Sequence, residues 1–239
     1  MSNNSIDHLC KRIESERKRT NLLRSIEQPV LALLCDAMPP FVTPNMLTGI
    51  GLFANVVVFA GFYFGRSNPL FLGIAILGFA INWFGDSLDG RLAYYRNIPR
   101  KWYGFALDIS MDWISTLLMG LGFYFFLPEQ QKIVALLFIA AYSWSMIIAL
   151  LKYKIAGVYQ IDSGLFGPTE LRIGICLVLF TAMFYPQIIA WFASVIIGVI
   201  MVVNFIWFYR VLKFGNERDR KERLLRKMNV TQLTEVEGV

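Results

Sequence analysis

The chain has 239 residues, 56% of them hydrophobic and 15% aromatic, and its charged share is 17%, against about 25% in an ordinary soluble domain. With a mean hydropathy of +0.52 and repeated uncharged runs of about 20 residues, these figures exclude a soluble globular domain and indicate one polytopic membrane domain. The net charge of +6 fits basic loops and attraction to lipid headgroups, and nucleic acid is not expected as a partner.

Residues 1–27 read as a charged surface helix, with none of the layout of a cleavable signal peptide. A short amphipathic piece comes next, Pro29 to Met38, closed by Pro39-Pro40; it is too short to span and is expected to lie in the interface. Thr43-Pro44-Asn45 opens the first span, with Pro44 at a helix start. The expected spans are Met46–Phe64, Leu70–Tyr94, Gly104–Leu127, Ile133–Leu151, a shorter Glu170–Tyr185, and Ile188–Leu212. The fold class is therefore an all-α membrane protein of about six transmembrane helices with an N-terminal interfacial helix. Its expected parts are a cytoplasmic tail and interfacial helix over 1–42, a transmembrane catalytic domain over 43–212, and a cytoplasmic tail over 213–239.

Basic residues set the expected orientation. Arg17, Lys18, Arg19, Arg24, Arg91, Arg96, Arg100, Lys101, Lys152, Lys154, Arg172, Arg210 and the basic residues after it fall on one side of this topology, and only Arg66 and Lys132 on the other. The positive-inside rule then puts both termini at the cytoplasmic face, in the inner membrane if the cell is bacterial. Cys10, Cys35 and Cys176 have no metal-ligand spacing and suggest no disulfide framework. The single histidine, His8, lies in the polar tail, so Ser-His-Asp chemistry has no support.

Four carboxylates stand out in this oily chain: Asp86-Ser-Leu-Asp89-Gly90 at the end of the second span, and Gly104-Phe-Ala-Leu-Asp108-Ile-Ser-Met-Asp112 at the start of the third. Each costs roughly +2.5 to +3.5 kcal/mol at membrane depth unless compensated. Asp86 and Asp89 are i, i+3 and Asp108 and Asp112 are i, i+4, so each pair shares a helix face. Two such faces turned toward each other, on antiparallel neighbours joined by a short loop, make an oxygen cage suited to Mg²⁺ or Mn²⁺. A lone Asp-x-x-Asp-Gly occurs in many solvated loops, and one intramembrane Asp is most simply a helix cap or the partner of Arg91 or Arg96; the doubled pattern with two glycines is far more specific. Asn82, one turn before Asp86, suits either a helix–helix hydrogen bond or support for that aspartate, and Asn204 suits a second cross-helix bond.

The stretch 86–112 resembles the signature of the CDP-alcohol phosphotransferase (CDP-alcohol phosphatidyltransferase) family, D-x-x-D-G-x-x-A-R…G-x-x-x-D-x-x-x-D. Asp86, Asp89, Gly90, Ala93, Gly104, Asp108 and Asp112 match it, while Tyr94 stands where the family has arginine; Arg91 and Arg96 are the nearby candidates to take over. Thr43-Pro44-Asn45-Met-Leu-Thr48 is similar to the segment that opens the family's first span. The resemblance implies a homodimer in phospholipid biosynthesis that moves a substituted phosphoryl group from a CDP-alcohol to a second alcohol and releases CMP. It implies Mg²⁺ or Mn²⁺, as one ion or a binuclear pair, held by Asp86, Asp89, Asp108 and Asp112, with Asp112 also the general base. Asn45, Asp89, Gly90, Ala93 and Gly104 would bind the nucleotide, the glycines by letting backbone approach it. Gly167-Pro-Thr-Glu-Leu-Arg172 resembles the opening of the fifth span in phosphatidylinositol-phosphate synthases, which implies Lys152, Lys154 and Arg172 as the acceptor-phosphate site and CDP-diacylglycerol as donor. Asp-Ser-Leu-Asp-Gly-Arg also resembles the choline/ethanolamine phosphotransferase branch, in which diacylglycerol is the acceptor.

Other classes fit less well. A UbiA-type prenyltransferase wants Asn-x-x-x-Asp-x-x-x-Asp, and the second acid here, Asp89, comes one position early. An ion-coupled transporter places its acids near the midplane in repeated halves. A structural protein descended from the enzyme would not need all four aspartates.

Overall fold

The computed structural model of the chain describes residues 9–13, 23–156 and 168–237; His8, Arg17, Lys18, Arg19, Gly167 and most of the expected N-terminal surface helix lie outside them. The described elements are helices: α1 (Arg24–Ala37), α2 (Pro44–Gly65), α3 (Leu72–Tyr95), α4 (Lys101–Phe126), α5 (Lys132–Ala156), α6 (Pro168–Ala182) and α7 (Ile188–Glu237). Five stretches, Pro44–Gly65, Pro69–Tyr95, Lys101–Phe126, Glu129–Ile155 and Ile188–Arg226, are long and apolar enough to cross a membrane. The expected fifth span is α6, whose 15 residues reach about 22 Å, short of a hydrocarbon core of about 30 Å.

Local chemistry sets the helix ends. Thr43 caps α2 by accepting from Met46 N at 3.2 Å, with Pro44 in the first turn, where its missing N–H costs nothing. At the other end of the site, α3 closes in a Schellman turn. Ile98 N donates to Ala93 O (2.9 Å) and Asn97 N to Tyr94 O (3.0 Å), with Asn97 left-handed at φ 57° and Pro99 blocking continuation.

The packing differs from the expected α3–α4 pair. Those helices are joined by a short loop, yet each packs on α2 rather than on the other. Glycine explains the wedge: a Cβ on Gly85 would stand 2.6 Å from Gly51 N and Leu47 O, and one on Gly122 would stand 2.9 Å from Phe59 Cα. α2 therefore takes the close backbone contacts with both aspartate helices. Polar bonds fix the register. Asn55 of α2 donates to Ser115 of α4 (2.8 Å), while Asn55 and Asn82 both donate to Gly51 O (2.9 and 3.1 Å). Asn82 thus makes the helix–helix bond. Asn204 of α7 accepts from Ser145 (2.7 Å) and donates to Ala141 O (2.8 Å), tying α5 to α7.

Two apolar clusters flank this polar seam. One, away from the aspartates, joins Phe62, Leu72, Phe79, Phe123, Phe126 and Leu179. The other joins Leu31, Ala32 and Cys35 of α1 to Leu47, Leu88 and Leu92 beside the aspartates, so the interfacial helix is fastened down by packing. Among the described residues all three cysteines are free, and burial pushes the Cys35 thiol up to about 11, leaving it protonated and inert. α7 does not stop at Leu212; it continues through the expected tail to Glu237, and its Arg218 donates to the last carbonyls of α5, at Lys154 (3.2 Å) and Ile155 (3.0 Å).

Candidate active site

Asp86 lies just after the Gly51–Gly85 crossing, and a Cβ on Gly51 would come within 3.5 Å of its backbone N. The crossing holds that turn of α3 against α2. From α4, Asp108 and Asp112 present one face to it. One carboxylate oxygen from each of Asp86, Asp108 and Asp112 lies within 4.8 Å of the others. That separation is close to the roughly 4.2 Å between opposite ligands of an octahedral ion with bonds of about 2.1 Å, so these three acids could hold a divalent cation.

Asp89 stands apart from that group. Its Oδ2 accepts from Thr48 Oγ1 of α2 at 2.7 Å and its Oδ1 from Gly90 N at 2.5 Å, while it still interacts electrostatically with Asp86 and Asp108. The four expected ligands are therefore arranged as three plus one, with Asp112 in the close group. A cation from a third helix pairs with Asp86. Arg172, from the second turn of α6, puts Nη2 on Asp86 Oδ2 at 2.5 Å. Arg91 donates to Ser87 O within its own helix. Arg96 reaches the carbonyls of Met38, Pro39 (2.8 Å), Pro40 and Val42, pinning the link between α1 and α2. Tyr94, at the position of the family arginine, is half-buried, and Arg96, two residues on, has its guanidinium on that link.

The other expected site residues are spread around this cluster. Asn45, at the mouth of α2, accepts from Arg100 Nη2 (2.6 Å) and donates to Tyr103 OH (3.4 Å), with the Arg100 guanidinium 4.2 Å from the Tyr103 ring centroid. Ala93 supplies a carbonyl to the Schellman turn. Gly90 and Gly104 face open space, with nothing within 4 Å of a Cβ built on either, unlike the packed Gly51 and Gly85. Lys152 is buried with its ammonium 4.0 Å from the Trp207 ring centroid, and Lys154 is exposed. The role of Thr48 and the place of Tyr142 were not foreseen: Tyr142 of α5 interacts electrostatically with Asp112, Arg172 and Asp86. Thr48 was legible as a member of the Thr-Pro-Asn segment, whereas nothing in the sequence around Tyr142 marks it.

Long apolar helices indicate an integral membrane protein, and its acidic cluster beside a guanidinium could hold a metal ion. The family model for CDP-alcohol phosphatidyltransferases matches residues 41–209. The chain belongs to this family, and membership makes it a CDP-alcohol phosphotransferase, an enzyme of phospholipid head-group transfer. No curated protein shows significant similarity to it.

Proposed function

We propose that the chain transfers a phosphatidyl group from CDP-diacylglycerol to the hydroxyl of a small polar or phosphorylated alcohol, inositol phosphate-like, and releases CMP. The observation that carries this is the Arg172 guanidinium at the carboxylate cluster. A planar fork of donors at that point suits the phosphate of an acceptor, and a neutral diacylglycerol acceptor has no use for it. Asp86, Asp108 and Asp112, with Asp89 beside them, would hold the divalent ion or ions. When bound, such an ion neutralises charge on the pyrophosphate as CMP departs.

The chain's own residues do the rest. Asp112 takes the acceptor's hydroxyl proton; the freed oxygen bonds to the phosphorus of the phosphatidyl group, and the P–O bond to CMP breaks with its electron pair leaving on CMP. Gly90 and Gly104 leave room for the nucleotide, and Asn45, fixed by Arg100 and Tyr103, stands at its entrance. Of the basic residues, the reading rests on Arg172; Lys152 joins only by leaving Trp207, and Lys154 adds surface charge. We place the enzyme as a homodimer in the membrane, the inner membrane if the cell is bacterial, with the site and both tails cytoplasmic, and the catalytic domain over 43–212.

The test is lipid analysis after incubating purified protein with CDP-diacylglycerol and inositol phosphate, glycerol phosphate or serine, in parallel with CDP-choline or CDP-ethanolamine and diacylglycerol. Transfer to a phosphorylated acceptor, abolished by chelator and by Asp112→Asn, is expected. Product only with diacylglycerol moves the chain to the choline/ethanolamine branch, and activity that survives both chelator and Asp112→Asn sinks the assignment.

A further inference from the structure

Glu27 is a carboxylate that the reaction does not use, yet it is only 8% exposed. It sits in the first turn of the interfacial helix α1. Its Oε1 accepts from two other elements at once: Trp83 Nε1 of α3 at 3.3 Å and Thr169 Oγ1 of α6 at 2.9 Å. The next residue of α6 returns the bond. Glu170 Oε1 accepts from the backbone N of Leu23, the residue that caps α1, at 2.8 Å. The starts of α1 and α6 are therefore tied by two reciprocal carboxylate bonds, and the pair is tied to α3 by the indole.

This knot lies directly beside the carboxylate cluster. Arg172 is three residues beyond Thr169, and its guanidinium is on Asp86, three residues beyond Trp83. One helical turn on each of two helices thus separates the knot from the ion pair. α6 is a short helix whose packing residues Leu179 and Ala182 lie toward its far end, and in lipid there is no hydrophobic drive between helices, so directed bonds at its first turn help set the register there.

We propose that Glu27 is a positioning residue that sets the first turn of α6 against α3 and thereby aims Arg172 at the acceptor. The inference rests on the proposed function for the role of Arg172, though not for the tie itself. It gives the interfacial helix a task in the site: α1 is the strap by which the membrane surface holds α6.

Three variants test it: Glu27→Ala, which deletes the acceptor; Glu27→Gln, which keeps an oxygen for both donors; and Thr169→Val, which removes one donor alone and carries the test if Glu27→Ala does not fold. Hydrogen exchange of the detergent-solubilised protein reads the strap without substrate. Amides from Arg172 to Cys176 are expected to exchange about tenfold faster in Glu27→Ala and Thr169→Val, with α5 and α7 unchanged and Glu27→Gln near wild type. Unchanged exchange in α6, or faster exchange throughout the protein, overturns the proposal. Kinetics read the consequence. Glu27→Ala is expected to raise the acceptor's KM about tenfold, with donor KM little changed, and to have under about a twofold effect in an Arg172→Ala background. An equal effect in both backgrounds shows that Glu27 does not act through Arg172 and overturns the positioning role. A wild-type protein with no transfer activity sinks the proposed function instead, and the exchange result then stands alone on the strap.

Discussion

Asp89 is held from both sides, by Thr48 from α2 and by the backbone N–H of Gly90. A hydrogen bond to a charged group is worth about 1.5–3 kcal/mol, and Thr48 supplies it from a neighbouring helix. Thr48→Val removes the donor while keeping shape, so kcat/KM should fall at least about tenfold, with the melting temperature nearly unchanged; Thr48→Ser should stay within about threefold of wild type. Steady-state kinetics on the three proteins check this, and a valine variant of full activity would refute it. Arg172 poses the opposite case, a cation already on the cluster. The pair's side chains are 19% and 27% exposed, so losing it costs less than the roughly 3–5 kcal/mol of a fully buried pair. Arg172→Ala leaves Asp86, Asp108 and Asp112 with one positive charge fewer. Saturating Mn²⁺ should therefore raise the melting temperature of Arg172→Ala by more than it raises that of wild type. An equal or smaller rise would show that the guanidinium and the ion do not share the cluster.

At the scale of helices, two kinds of glycine lie within a few residues of each other on α3 and do different things. A Cβ at Gly85 meets backbone of α2 at 2.6 Å, which cannot swing aside, whereas a Cβ at Gly90 meets nothing within 4 Å. Gly85→Ala should therefore destabilise the fold by about 1–3 kcal/mol, as overpacking does, and disturb the adjacent Asp86. Gly90→Ala should melt like wild type and raise the donor's KM if nucleotide passes over it. Thermal melts and donor titrations on both variants separate the two, and the reverse pattern would overturn this division. The same contrast shows what the sequence could yield. Helix ends were legible because Thr43, Pro44 and Pro99 act locally, and the aspartate spacing named the cluster because i, i+3 and i, i+4 periodicity is a property of one helix. The wedge of α2 between α3 and α4 was not legible, since it depends on which glycines face each other. Nor was the pairing of Asp86 with Arg172, which is 86 residues away in sequence.

Across the whole molecule, helix direction and charge agree on a sidedness. α2 and α4 begin, and α3 and α5 end, at the face that holds the carboxylates, and α6 brings Arg172 into that face. Arg96, Arg100, Lys101, Lys154 and Arg210 cluster there, and α7 carries a further run of basic residues outward, pinned to the end of α5 by Arg218. Among the described residues the opposite face carries only Arg66 and Lys132, the latter paired with Glu129 at 2.5 Å. By the positive-inside rule we propose that the carboxylate face is cytoplasmic, the side where a water-soluble acceptor and a departing CMP would exchange with the cell interior. Asn97, in the α3–α4 turn, and Gln130, in the turn before α5, are both exposed and lie at opposite ends of α4. In a chain with Cys10, Cys35 and Cys176 replaced by alanine, Asn97→Cys should react with a membrane-impermeant maleimide only from the cytoplasmic side of sealed vesicles. Gln130→Cys should react only from the other side. Labelling of both from one side would break the odd number of crossings between them, and a swapped pattern would turn the active site outward and remove the charge-based case for a cytoplasmic acceptor.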